Sequence, residues 1–358
     1  MKPYEIISHT ISDVISTCLE TDKYGLLHFH NFIRWDASLL DREKDTTPYQ
    51  WLEHKFFYTK YAYQLKWIES SPRFGSKGKL YNKINFIDHS FEPVHDSLDK
   101  IFWEDVMLQS VPHVIIHSEK NSKDLDKINL PNIHWFAHAY LCSEIYFCHY
   151  KKLRMVTDYK SRPIDYPWLC TNRLIRQHRT DFLEMLDLDR GCYSLLNPDP
   201  NGLTYDGPVL AHSFDDHINS SAEIKVDDLT PWNTSFLHVV NETVWQEKIH
   251  FTEKVFKPIV LHQPFVVLQA PGSLAYLRSY GFKTFGNWWD ESYDTIENPQ
   301  QRMQAIADIV NAIGNKSIEE LETMRMEMAS VLEHNFRHFY ENIPAICFDE
   351  LRKGIANL

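Results

Sequence analysis

The 358-residue chain has no run of 18 or more apolar residues, so no transmembrane helix is expected. Its opening residues, MKPYEIISHTISDVIST, lack the continuous apolar stretch of a signal peptide. Cysteine is scarce: six residues, at 18, 142, 148, 170, 192 and 347, with no CxxC and no disulfide-like rhythm. A reduced, cytoplasmic protein is the simplest expectation. Glycine is scarce too, at 11 residues, and none falls in GxGxxG, GxxxxGKS, GxxxxGKT or GxSxG. That removes the dinucleotide fingerprint, the phosphate loop and the hydrolase elbow. No HExxH occurs among the 19 histidines, and no metal is expected. Positive charge is in short supply, 37 Lys and Arg against 49 Asp and Glu, a net charge of -12. That balance argues against a protein held by nucleic-acid phosphates or by an anionic membrane surface.

What is present is core-forming material. The hydrophobic fraction is 43% and the aromatic fraction 14%, over a length sufficient for two ordinary domains. In the second half, apolar runs and helical spacings alternate. YPWLCTN (166–172), CYSLLNP (192–198), TSFLHVVNE (234–242), PFVVLQA (264–270) and KTFGNWW read as strands. RQHRTDFLEMLDL, TEKVFKPIVLH (despite Pro258), GSLAYLRSYG with its closing Gly281, and PQQRMQAIADIVNAI read as helices. A long helical tail, SIEELETMRMEMASVLEHNFRHFYENI, follows. Alternating strands and helices imply a parallel sheet covered on both faces. In the first half, KINFIDHS (83–90), VPHVIIHSE (111–119) and NIHWFAHAYL (132–141) read as strands or strand-to-loop segments. FWEDVMLQS, SEKNSKDLDKI and the N-terminal residues read as helices, and residues 40–75 are aromatic and show no period. The charged stretch KKLRMVTDYKSRPID reads as a linker. The expected domains are 1–158, 159–330 and a helical tail, 331–358.

Three places concentrate chemistry, each just past a strand, where parallel sheets bind ligands. In HFTEKVF, Thr252 caps a helix that opens with Glu253 and Lys254. A lysine is unfavourable at the positive end of a helix unless an anion sits there; the alternative is a solvated face with ordinary capping. In CTNRLIRQHRTDFLEML, Arg173, Arg176 and Arg179 recur at spacing three, which on a helix converges them on one anion. The alternative is a surface stripe paired with Asp181 or Glu184. In VPHVIIHSEKNS, an apolar strand delivers His117, Ser118 and Glu119 to its end. A carboxylate there suits a general base; the alternative is capping by Ser118 or Asn121. The triplet Asp187-Leu188-Asp189 ends a helix and is set aside. Asp290, Glu291 and Asp294 are expected to form a polar loop that shapes the cleft.

The order of these motifs resembles the donor-binding domain of the α-1,3-fucosyltransferase family over residues 166–310. The residues that carry the resemblance are TNRLIRQHR, then VVNET (239–243), then FTEKVFKPI and PFVVLQAP, with HSEKNS in the place of a weaker first-half motif. The family's Glu-Asn-Thr reads Asn241-Glu242-Thr243 here, and its tyrosine before TEK is His250. Compact forms also resemble predicted glycosyltransferases of large viruses and phages.

The resemblance implies a GT-B α/β fold: two Rossmann-like domains facing across a cleft, with a C-terminal helical tail. It implies inverting transfer of fucose or a similar sugar from a nucleotide-diphosphate donor, GDP-linked first of all, to a hydroxyl of a glycan acceptor. No cofactor beyond the nucleotide sugar is required. Glu119 would be the base. Arg179, Lys254 and Arg176 would meet the departing diphosphate. Glu242 would contact the donor sugar and Glu253 a ribose or sugar hydroxyl. Asn172, Arg173, Asn241, His250 and Thr252 would complete the donor site. Two alternatives stay open: a non-catalytic carbohydrate- or nucleotide-binding protein on the same fold, and a glycosyltransferase acting on modified DNA bases. The oligomeric state is not read from the sequence.

Overall fold

The computed structural model describes residues 11, 13–19, 25–30, 64–66, 84–90, 93–94, 112–136, 158–197 and 230–358. The expected helix FWEDVMLQS, the end of NIHWFAHAYL, the first part of the linker and most of 40–75 lie outside them. The protein is an α/β molecule with parallel sheets. It divides into two compact units, Met1–Glu144 with Pro344–Leu358, and Ile145–Ile343. The expected boundary was 158, and the expected separate tail is instead shared between the units. No helix among the described residues is long and apolar enough to cross a membrane.

The first unit holds β1 (Gly25–His30), β2 (Gln64–Lys66), β3 (Asn85–His89), β4 (His113–His117) and β5 (Asn132–His134). The sheet order is β2-β1-β3-β4-β5. β1, β3, β4 and β5 are parallel, and β2 joins β1 antiparallel at the edge. β1 was not anticipated: its apolar-polar alternation covers only the four residues Leu27 to His30. Val114, Ile115 and Ile116 are buried in succession, as expected of a central strand covered on both faces. Helix α1 (Lys123–Ile128) starts at Ser122, whose hydroxyl accepts from Leu125 N at 3.4 Å, and stops at Asn129 in the left-handed region. The last helix of the chain packs against β5. Its Glu350 accepts from Phe136 N at 2.7 Å and pairs with His134 Nδ1 at 2.9 Å. Its Gly354 lies so close to Ile133 that a Cβ there would sit 2.2 Å from the Ile133 Cγ2.

The second unit holds β6 (Tyr166–Leu174), β7 (Gly191–Asn197), β8 (Ser235–Asn241) and β9 (Phe265–Leu268), all parallel, in the order β7-β6-β8-β9. Helix α2 (Gln177–Glu184) links β6 to β7, the short α3 (Thr230–Asn233) precedes β8, and α4 (Glu253–Val260) links β8 to β9. After β9 come α5 (Ser273–Ser279) and α6 (Pro299–Gly314), then α7 (Ile318–Glu327) and α8 (Ala329–Glu341); α9 (Ile343–Ala356) is the last helix, which belongs to the first unit from Pro344 onward. The chain leaves β6 to one side and returns to β8 on the other, so the strand order reverses between β6 and β8. Ligands bind past the strand ends at such a reversal.

Two expected elements differ. KTFGNWW is a set of turns and not a strand, because its backbone is claimed by a side chain. Glu291 accepts from Phe285 N at 2.6 Å and from Thr284 Oγ1 at 2.7 Å. The long tail is three helices: a capping box at Ser317 and Glu320 starts α7, and the chain breaks at Met328. α4 tolerates Pro258 because its apolar side, Val255, Phe256, Ile259 and Val260, is buried, and Phe256 stacks on Phe339 of α8 at 5.2 Å.

Trp168 of β6 is fully buried between two glycines. A Cβ on Gly191 would meet its ring at 2.1 Å, and one on Gly314 would lie 3.4 Å from its Nε1. The indole therefore fills the space that a side chain at 191 would need. Gly191→Ala is expected to destabilise the protein by about 1–3 kcal/mol, the usual cost of overpacking, read as a lowered urea midpoint with circular dichroism. An unchanged midpoint would mean that the ring can shift.

Candidate functional site

The site lies at the C-terminal ends of β6 and β8. These strands pair as far as Leu169 opposite His238, and Asn172 and Asn241 each lie three residues beyond that pair. Both asparagines are buried. Asn172 donates its amide to Cys170 Sγ at 3.4 Å, and its backbone N–H goes to Ser194 Oγ at 3.1 Å. Its Oδ1 and both polar atoms of the Asn241 amide are enclosed with no hydrogen-bond partner. Buried amides are nearly always satisfied, and these unpaired atoms lie where the strand order reverses.

α2 adds charge. Arg176 is its N-cap residue and Arg179 sits in its first turn. Arg179 is only 3% exposed, and its Nη2 donates to Asn241 O at 3.5 Å. Burial, then the neighbouring Arg176, lowers its pKa to about 10, which leaves it a cation at neutral pH. Arg173 belongs to β6, not to a turn. The expected convergence of three arginines on one helix face therefore fails, since β6 runs two residues further than its apolar pattern showed. Cys170 beneath them is no nucleophile: burial pushes its thiol up to about 12.

α4 supplies the other wall. Thr252 is its N-cap and accepts from Lys254 N at 3.3 Å. Lys254 Nζ donates to Thr252 Oγ1 at 3.0 Å and to Glu253 Oε1 at 3.2 Å. Glu242, expected to touch a sugar, is fully buried. Both its oxygens accept from Thr252, from the backbone N at 3.1 Å and from Oγ1 at 2.6 Å. Its carboxylate anchors the start of α4. His250 is buried in the same loop, and its carbonyl accepts from Gln269 Nε2 at 2.8 Å.

No protein-family model matches the chain, and no curated protein matches it.

In the first unit, Glu119 stands just past β4 and is 2% exposed. Its carboxylate accepts from Val94 N, on the loop after β3. Its own N–H goes to His117 Nδ1 at 3.2 Å, and Ser118 Oγ donates to Ser90 O at 2.6 Å. Neither Ser118 nor Asn121 caps α1; Ser122 does. Asp290, Glu291 and Asp294 each accept from backbone N–H groups. Asp294 receives Leu274 N at 2.8 Å and Ala275 N at 2.9 Å, and so caps α5. Asp290 receives Ser292 N at 2.8 Å.

Three residues beside the site were not singled out from the sequence. His178 Nε2 donates to Glu242 O across 3.2 Å, and its ring stacks on Trp245, with ring planes 11° apart. The carbonyl acceptor assigns the proton to His178 Nε2. The Asn241 amide also lies beside His178, outside hydrogen-bond geometry. Arg302 of α6 is buried, with its guanidinium 4.6 Å over Trp245. It donates to Gln269 O at 2.9 Å, Ile296 O at 2.7 Å and Trp245 O at 3.4 Å. It thereby ties three loops at the strand ends. The RQHR, NETVW and PQQRM stretches hold these residues, and none has a local pattern that distinguishes a loop tie from a surface residue.

Burial lowers the pKa of His178 to about 4, of His238 to about 3 and of His262 to about 4. The ordinary value in the unfolded chain is about 6.5. Between those values the unfolded chain binds protons that the folded unit refuses, so stability is full above pH 6.5 and falls as pH drops toward 4. The urea midpoint is expected to fall from pH 7.5 to pH 5. His178→Gln should make that slope shallower by roughly one proton, or about 1.4 kcal/mol per pH unit. A slope unaltered by the substitution would show that His178 protonates freely in the folded state.

Proposed function

We propose that the second unit binds a nucleoside-diphosphate sugar, GDP-linked in the first instance. The protein then transfers the sugar with inversion to a hydroxyl of a glycan acceptor. One observation carries the reading. A buried arginine and two asparagine amides with unsatisfied atoms gather at the reversal between β6 and β8, in the loop cluster that also holds the lysine-bearing start of α4. Transfer leaves two phosphates with new negative charge. Arg179 and Lys254 supply fixed positive charge, and the α4 N-terminus adds its partial charge, so stabilisation grows as the diphosphate departs. The proposal includes the GT-B arrangement implied by the family resemblance, with the donor on the second unit and the acceptor on the first. Lys254→Ala should reduce transfer by about 100-fold, measured as release of GDP. Among GDP, UDP, ADP and CMP, GDP should raise the melting temperature most. No shift with any nucleoside diphosphate would sink the reading.

A second reading, nucleotide or carbohydrate binding without transfer, is favoured by Glu119. Its carboxylate is enclosed and spends a lone pair on Val94, as a loop anchor would. Glu119→Gln separates the two. Gln keeps the acceptor for Val94 N–H and removes the basicity. If Glu119 takes the acceptor proton, donor binding holds and the rate falls roughly 100-fold, with loss of the acidic limb of the pH profile. Normal turnover in Glu119→Gln would place the base elsewhere, and a lower unfolding midpoint with no catalytic change would leave Glu119 as the anchor alone.

A further inference from the structure

The hydroxyl of Thr252 has one proton and two lone pairs, and the structure accounts for all three. The proton goes to Glu242 Oε2 at 2.6 Å, and the lone pairs face Lys254 N at 3.3 Å and Lys254 Nζ at 3.0 Å. Glu242 itself is fixed from every side. Its backbone N donates to Leu268 O at 3.3 Å, its carbonyl faces His178 Nε2 at 3.2 Å, and its second carboxylate oxygen holds Thr252 N at 3.1 Å. Lys254 Nζ lies 3.9 Å from Glu242 Oε2, too far for a hydrogen bond but close enough for attraction. Two of the three ammonium N–H groups go to Thr252 and Glu253, and the side chain is 26% exposed. That leaves one N–H for an acceptor from outside.

We infer that Glu242 is a positioning residue for Lys254, acting through the Thr252 hydroxyl, and that this relay sets the affinity of the second unit for the diphosphate part of its nucleotide. The inference rests on the reading of that unit as a nucleoside-diphosphate site. A buried carboxylate that only capped a helix would need nothing from Lys254. Here its pull on the hydroxyl proton turns the lone pairs toward the ammonium. Glutamine cannot reproduce this. Its carbonyl can hold Thr252 N, but its NH2 then donates into Thr252 Oγ1, takes one of the two lone pairs, and releases either the helix N–H or the ammonium. Burial holds the Glu242 carboxyl above its usual range, while Lys254 and Thr252 draw it back down.

The test is titration calorimetry of the full-length protein with GDP and with GMP. The variants are Thr252→Val, Thr252→Ser, Glu242→Gln, Lys254→Ala and the Thr252→Val/Lys254→Ala double. Thr252→Val and Glu242→Gln are expected to weaken GDP about tenfold, the scale of a hydrogen bond to a charged group, with GMP little changed. Thr252→Ser should restore GDP binding. The double variant should be no weaker than Lys254→Ala alone, since both act through one ammonium. Equal losses for GDP and GMP, or losses that add in the double, would mean a merely structural cap and would overturn the inference while leaving the nucleotide reading intact. Wild-type protein with no preference for GDP over GMP would remove the reading and the inference together. Should Glu242→Gln fail to fold, the Thr252 valine and serine pair still decides the matter.

Discussion

A carboxylate taken fully out of water is costly unless neighbouring donors meet it, and Glu242 meets its donors ten residues further along. Thr252 gives it both a backbone N–H and a hydroxyl proton. That pairing closes the loop between β8 and α4 and determines which residue begins the helix. It also determines where the Lys254 ammonium is held. The apolar side of α4 can then lie on the sheet, with Phe256 against α8. Everything proposed for the strand ends of the second unit depends on this loop keeping one shape.

Other charged residues work the same way around that edge. Arg302 spends its donors on carbonyls of three separate loops. Asp294 caps α5, whose own N-cap is Gly272 at φ 81 and offers no side chain. Glu291 holds the turn at Phe285. Charged groups in such loops are ambiguous in a sequence, since binding and bracing use the same residue types. The distinguishing fact is where each donor or acceptor is spent. By that measure the acidic loop residues are braces. Arg179, Asn172 and Asn241 form the core of the candidate site: the arginine is buried and donates to Asn241 O at 3.5 Å, and the two amides leave polar atoms unsatisfied.

The second half was legible because its strands are buried on both faces and so read as short continuous apolar runs, with helical spacing between them. The Thr252 cap was legible because a threonine before an acidic first turn is a local signal. The arginine cluster was misread for a local reason as well. β6 continues through Arg173 and Leu174 past the end of its apolar run, and a two-residue extension changes a helix face into a strand end. KTFGNWW has strand-like composition, but Glu291 takes the N–H that a neighbouring strand would need. The first half was harder, since its strands are short and rich in histidine, and its order in the sheet comes from pairings distant in the chain.

The sequence by itself determined the class, an α/β protein with parallel sheets, and the positions of most second-half elements. Periodicity and capping are local properties, carried by residues within a few positions of one another. Only the tertiary structure decided that α9 returns to β5 of the first unit, clasped by Glu350 on His134 and Phe136. It also decided that Arg179 of α2 donates to Asn241 O on β8, and that Glu242 faces inward to Thr252 and not outward to a ligand. Each of these is a contact between residues ten to more than two hundred positions apart. Burial and hydrogen-bond partnership at such separations are set by how the sheets pack, and no short stretch of sequence records them.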